Sequence, residues 1–217
     1  MPAAFRPAAN LIAKLAVGGL MGLVIVVVAL VYGIPYMDYN TWRNLTRPQP
    51  VPFSHKHHVS GLGLDCRYCH TEVEASSTAG LPPAETCMTC HSQVWADAPA
   101  LAPERQSFAS GEPLAWNRIN QLPDYVFFDH SIHVVKGIGC TTCHGPIGNM
   151  PLVRKVNTLY MGWCLECHRD PAPYLRPRAA VFDPHWQRSP GTPSGQQLMA
   201  RYDIHPEALT DCSVCHR

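Results

Sequence analysis

Ten cysteines fall into five copies of one pattern: Cys66-Arg67-Tyr68-Cys69-His70, Cys87-Met88-Thr89-Cys90-His91, Cys140-Thr141-Thr142-Cys143-His144, Cys164-Leu165-Glu166-Cys167-His168 and Cys212-Ser213-Val214-Cys215-His216. No cysteine is left over. Two thiols three residues apart, with an imidazole beside the second, fit one helical turn that presents all three groups on one side. This is the attachment chemistry of c-type haem: the thiols add to the two vinyl groups and the imidazole binds iron from the proximal side. A disulfide framework would not place His after every second Cys. Zinc sites take C-x-x-C pairs two at a time, which would strand the fifth pair. A thioredoxin-like site would occur once, beside a βαβ pattern, and none is visible. The pattern predicts five covalent haems, with His70, His91, His144, His168 and His216 as proximal ligands.

Six-coordinate iron needs a second axial ligand. Phe53-Ser54-His55-Lys56-His57-His58 precedes the first two motifs, and Phe128-Asp129-His130-Ser131-Ile132-His133 precedes the next two; both read F-x-H-x-x-H. His58 precedes Cys66 by eight residues and His133 precedes Cys140 by seven. Within the pairs, Cys66 and Cys87 are 21 residues apart, and Cys140 and Cys164 are 24 apart. The self-similarity predicts two repeat units, 53–91 and 128–168, and a terminal motif at 212–216. Imidazoles at i and i+3 share a helix face and can point into neighbouring haems. His205 precedes Cys212 by seven residues, although Tyr202 stands where the first His of such a pair would be. The expected distal set is therefore His55, His58, His130, His133 and His205. His57 and His185 are left for packing or the surface. Met150 and Met161 are the alternatives at one iron, where a thioether would raise the potential. Packing against a porphyrin face is the simpler role for either Met.

These groups need a scaffold of short elements. The 217 residues include 21 Pro, which break regular structure, so short helices joined by irregular loops are expected. No alternating strand run persists, so little β-structure is expected. Such a chain buries little apolar surface alone; stacked haems are expected to fill the centre, leaving the apo-protein largely unfolded. The net charge of +1 and the absence of a basic run exclude nucleic acid as a partner class. Residues 15–36 carry no charge, and as a helix these 22 residues would span about 33 Å, enough for a bilayer core. The run is longer than a usual signal core and lacks a clear small-x-small cleavage site, so an uncleaved lipid-embedded anchor is expected. Residues 1–14 precede it. Residues 37–52 form a Pro-rich linker, extended from Arg47 to Pro52. Residues 53–217 form the haem domain.

The F-x-H-x-x-H element followed by closely spaced C-x-x-C-H motifs resembles the class III cytochromes, in the cytochrome c7 and c3 style. With the anchor, the five motifs and the stretch from Cys143-His144-Gly145 through Met150-Pro151 to Met161-Gly162-Trp163-Cys164, nearly the whole chain looks like the pentahaem c-type cytochrome subunit of alternative complex III. The resemblance implies a multihaem cytochrome c fold: one N-terminal transmembrane helix plus a loop-rich domain of short helices. It implies an electron-transfer subunit of a membrane respiratory or photosynthetic quinol-oxidising complex, not catalytic on its own. Electrons would pass through the haems to a cytochrome c or an oxidase. Implied partners are integral membrane quinol-binding subunits, an iron–sulfur subunit resembling molybdoenzymes, and a monohaem cytochrome c. Resemblance to c-type cytochromes also places attachment outside a bacterial cytoplasmic membrane, with residues 1–14 cytoplasmic and the haem domain periplasmic. One rival is an anchored multihaem quinol dehydrogenase feeding periplasmic reductases; the fifth motif and the F-x-H-x-x-H repeats argue against it. Another is pentahaem nitrite reductase, whose Lys-ligated haem would need a C-x-x-C-K that is absent here. Five low-spin haems, at most one of them His/Met, are expected. The stretch from Pro171 to Thr210 matches no motif.

Overall fold

A computed structural model describes residues 8–216. Residues 1–7 of the expected cytoplasmic segment, and Arg217, lie outside the described residues. The chain divides into two compact units that meet between Arg43 and Asn44.

In the first unit, α1 runs Ala9–Gly33 and buries none of its residues. It takes in Lys14, ahead of the charge-free run. By length and composition it is able to cross a membrane, a test that a signal sequence also passes. It ends where Pro35 removes a backbone donor, and the chain tightens into a 3₁₀ turn at Ile34–Tyr36 before the short α2, Asp38–Thr41. Exposed Tyr32, Tyr36, Tyr39 and Trp42 cluster at this end. Tyr and Trp are the residues enriched where a spanning helix meets the headgroups.

The second unit is short helix and loop. Its motifs lie on α3 (Cys66–Cys69), α4 (Ala84–His91), α7 (Cys140–His144), α8 (Met161–Arg169) and α10 (Cys212–Cys215). Between them lie α5 (Ala102–Ser110), α6 (His130–Val135) and α9 (Gly195–Arg201). No strand forms among the described residues; only isolated bridges join Thr46 to Arg154 and Ile138 to Leu175. Local signals start the helices. Asp65 accepts from Arg67 N to cap α3, Asp129 accepts from Ser131 N to cap α6, and Ser194 with Gln197 makes a capping box for α9.

Only nine described hydrophobic residues are buried, too few to hold the unit together alone. Leu175, Leu198 and Tyr202 form a cluster with Ile138, Met199 and Ile204 against it. The motif-free stretch 171–210 thus has a mechanical role. Arg176 N donates to Gly137 O (2.9 Å), and Lys136 Nζ donates to Tyr202 O (2.6 Å) and Asp203 O (2.9 Å). These bonds clamp the turn that joins His133 to Cys140. Gly137 is required there: its φ is +82°, and a Cβ would meet Arg176 O and the Tyr202 ring at 2.7 Å.

The two F-x-H-x-x-H elements fold alike with one difference. After His130 the chain makes an α-helix, closed by Lys136 N on Ile132 O at 2.9 Å. After His55 it makes a π-helical turn over Lys56–Gly61, in which Leu62 N reaches back five residues to His57 O at 3.0 Å. The extra residue between His58 and Cys66 is absorbed as a wider turn.

Candidate haem-iron centres

Four motif imidazoles each face an imidazole from an F-x-H-x-x-H element. His55 and His70 have ring centroids 6.5 Å apart with planes 5° from parallel, and His130 and His144 are 6.4 Å apart at 3°. His133 faces His168 at 6.2 Å and 27°, and His58 faces His91 at 6.1 Å and 64°. In each repeat, the first His of the element meets the first motif and the second His meets the second motif.

Hydrogen bonding decides which nitrogen is free. A backbone carbonyl accepts from Nδ1 in His58 (Ser54 O, 2.9 Å), His133 (Asp129 O, 2.6 Å), His130 (Ser77 O, 2.9 Å), His70 (Gly80 O, 2.8 Å) and His91 (Val94 O, 2.9 Å). The same holds for His168 (Leu209 O, 2.9 Å) and His216 (Tyr125 O, 3.1 Å). A carbonyl can only accept, so Nδ1 carries the proton and Nε2 keeps its lone pair. At His144 the Asn120 amide lies 3.1 Å from Nδ1, and turning that amide presents its oxygen as acceptor. His55 Nδ1 is buried without a partner. Burial, with the neighbouring imidazoles, lowers His55 and His144 to about 4. Burial also lowers His133. The neutral ring is the form that ligates a metal.

One phenylalanine holds each pair of distal rings. Phe53 lies edge-on to His55 (4.9 Å, 89°) and face-on to His58 (4.4 Å, 24°). Phe128 repeats this against His130 (4.7 Å, 89°) and His133 (4.6 Å, 29°). The opening residue of each element therefore fixes the orientation of both imidazoles behind it.

These residues fit haem. A metal about 2 Å from each of two ring nitrogens, themselves about 1.2 Å from their ring centres, sets the centroids roughly 6.4 Å apart. The four observed separations run from 6.1 to 6.5 Å. Among the described residues no three His, Cys, Asp or Glu gather to hold a metal by themselves. Two opposed imidazoles and no third donor suit an iron whose other four ligands come from a macrocycle. None of the ten cysteines is joined in a disulfide.

Neighbouring thiols give the motifs an order in space. The Cys66 and Cys140 sulfurs are close neighbours. Cys69 lies in electrostatic reach of Cys87, Cys143 of Cys164 and Cys167, and Cys164 of Cys215. The motifs therefore follow one another as second, first, third, fourth, fifth.

The remaining candidates are placed elsewhere. His205 is exposed, with Nε2 on Asp203 Oδ1 at 2.7 Å and Nδ1 3.4 Å from Glu207 Oε1. The hydrogen bond to Asp203 raises its pKa and engages Nε2. No second imidazole faces His216 among the described residues. Met150 is buried at 1 % exposure, and Met161 opens α8 at 62 % exposure. His57 packs near Trp95 (6.3 Å), and His185 Nε2 lies 3.3 Å from Ser60 Oγ. Sequence reasoning gave no role to Phe53, Phe128 or Asn120. The repeated Phe two residues before the first His was the available signal for the first two; nothing in the sequence marks Asn120.

Comparison with known proteins bears on this geometry. The family model described as cytochrome c7 and related cytochrome c matches residues 51–107. Over 122 residues the chain is 39 % identical to the menaquinone reductase multihaem cytochrome c subunit of Nitratidesulfovibrio vulgaris. That match covers 54 % of this chain and 55 % of the relative, so the chain spans about half the length of the relative it matches. The chain thus contains a cytochrome c7-like domain of helix and loop, and its cofactor is covalent c-type haem.

Proposed function

We propose that the chain carries five c-type haems, one per motif, and relays electrons through them as a subunit of a membrane quinol-oxidising complex of the alternative complex III kind. The four facing imidazole pairs carry this reading. Two axial histidines close an iron to substrate and leave it only electrons to exchange. Bound haem supplies a one-electron ferric/ferrous couple. The chain's residues do the rest. Motif thiols fix the edge of each macrocycle, and each F-x-H-x-x-H element spans two motifs, holding them at a set distance. His55, His58, His130 and His133 serve the first, second, third and fourth motifs in that order. The thiol contacts favour a path with the second and fifth motifs at its ends.

In this reading residues 15–36 anchor the chain in a bacterial cytoplasmic membrane, with the haem domain, residues 53–217, on the periplasmic side. The aromatic cluster around Gly33 supports an anchor. The partners are integral membrane quinol-binding subunits, an iron–sulfur subunit and a monohaem cytochrome c. The relative's name, a menaquinone reductase, favours a second direction of flow, from haem to quinone. A relay sets a path and leaves direction to the donors at its ends.

Purification from membranes tests the proposal. Five haems per chain by pyridine haemochrome, co-purifying membrane subunits by mass spectrometry, and haem reduction by menaquinol are expected. Fewer than five haems, or an isolated chain that oxidises quinol alone, would overturn it. Faster oxidation of pre-reduced haems by menaquinone than reduction by menaquinol would select the reverse flow.

A further inference from the structure

Arg176 is a buried cation that no carboxylate of the chain pairs. Its exposure is 6 %. Its guanidinium donates only to neutral acceptors: Thr141 Oγ1 at 3.0 Å, Asp183 O at 3.3 Å and Ala180 O at 3.4 Å. Nε is buried and has no partner. The charge lies over the Trp186 ring, 4.9 Å from its centroid. The exposed Asp183 carboxylate is in electrostatic reach but makes no ion pair with it.

The place this charge occupies is specific. Thr141 is the second residue of the third motif, and a side chain at Gly139, just ahead of Cys140, would collide with the guanidinium. The loop that follows Arg176 closes over the contact between repeats: Cys140 N donates to Val181 O (3.3 Å), and Cys66 Sγ lies 3.6 Å from Phe182 O. The matching position ahead of Cys66 is Asp65, whose carboxylate is spent on exposed Arg67 at 2.8 Å. So one repeat has a solvated ion pair beside its first motif, and the other has a buried guanidinium that the chain leaves without a carboxylate.

We infer that Arg176 is a fixed positive charge that raises the reduction potential of the haem held by Cys140 and Cys143, and to a lesser degree that of the haem held by Cys66 and Cys69. This inference rests on the five-haem reading. Ferric iron taking one electron lowers the charge of its site by one, so a nearby cation favours the reduced form. Burial removes the water that would screen it. In a c-type haem the propionates lie on the edge opposite the thioethers, so the haem held by Cys140 and Cys143 would keep its own propionates away from Arg176. The arrangement makes the contact between the two repeats the favoured resting place for an electron on the relay.

Redox titration of the holoprotein, read by haem absorbance beside a haem count, tests this. Arg176→Gln is expected to keep five haems and to move one or two titration steps down. The larger shift should be about tenfold in the reduced-to-oxidised ratio, or about 59 mV for one electron. Arg176→Lys, which keeps the charge, and Arg67→Gln, which removes a solvated one, should leave every step near its place. If Arg176→Gln loads fewer haems, Thr141→Asp decides instead, because it neutralises Arg176 in position and should give the same downward shift. Steps unmoved in a five-haem variant overturn the inference, as does a Lys variant that shifts as far as Gln. A wild-type chain holding fewer than five haems refutes the five-haem reading instead.

Discussion

The two repeats bring the same pairs of imidazoles face to face with different amounts of support. Their ring geometries match nearly angle for angle around Phe53 and Phe128. Each also leans on the other. The first element is tied to the loop after the third motif, through Lys56 N on Met150 O (3.0 Å) and Ser60 Oγ on Gly148 O (2.6 Å). The second is tied to the loop after the first motif, through His130 N on Ser77 O and Ser131 N on Ser76 O, both 3.2 Å. The support then diverges. His130 Nδ1 has a carbonyl, whereas His55 Nδ1 has nothing. His168 is anchored by Leu209 O, 41 residues away, whereas His91 uses Val94 O three residues on. The stretch 171–210 clamps the His133–Cys140 turn of the second repeat and touches the first through Ser60 and Cys66. The difference sets a held centre against a looser outer end.

The largest expected effect separates centre from end. Cys140→Ala with Cys143→Ala removes the attachment at the contact between repeats. It should cost more than about 4 kcal/mol, the range reserved for loss of a metal or cross-link, and should lower the haem count by more than one. Cys87→Ala with Cys90→Ala should lower the count by one and leave the remainder folded. Haem stoichiometry and thermal unfolding of both variants check this. Equal losses would mean the repeats are not interlocked as described.

Single ligand removals come next. His55→Ala, His58→Ala, His130→Ala and His133→Ala should each turn one low-spin iron high-spin in the paramagnetic resonance spectrum. His205→Ala should turn none, because its ring is held by Asp203 rather than facing a motif. A high-spin signal in that variant would restore His205 as a distal ligand.

The motif pattern and the repeated F-x-H-x-x-H pointed to the c7-like fold and to the histidines that meet in pairs, because covalent spacing and helix periodicity are local facts. The pairing between residues was not legible, since loops such as Ser76–Ser77 set it across the repeats. His205 shared an offset with His133, yet its environment is opposite: the chain carries acids at Asp203 and Glu207, two residues to either side, and these claim the ring. Offset alone ignored them. Residues 171–210 gave no periodic signal because the brace is built from single contacts whose partners lie far off in sequence, such as Arg176 with Gly137 and Tyr202 with Lys136.

A subtler difference lies in how each phenylalanine is backed up. Truncating Phe53 or Phe128 to Ala removes about 3 kcal/mol of packing in either repeat. The spectroscopic outcomes should differ. His130 keeps its Ser77 bond when Phe128 is lost, so the third motif's iron should stay low-spin. His55 has no hydrogen bond at Nδ1 to fall back on, so Phe53→Ala should give a partial high-spin population at the first motif. High-spin fractions that match in the two variants would show that the unpaired Nδ1 of His55 carries no consequence.

The smallest effect concerns the π-helical turn. Deleting Gly61 gives the first repeat the seven-residue offset of the second, and the turn should close as an α-helix. The haem count should not change, with the unfolding midpoint moving by no more than about 4 °C. The informative change is at the second motif, where the imidazole planes stand 64° apart against 27° in its counterpart. Axial imidazoles at a large angle give a more anisotropic low-spin signal than near-parallel ones. One such signal is expected in the intact chain, absent from the Cys87→Ala, Cys90→Ala variant. If the deletion also narrows it, the extra residue sets the ring twist. If the signal persists with the offset corrected, the twist comes from the short Val94 tether on His91 instead.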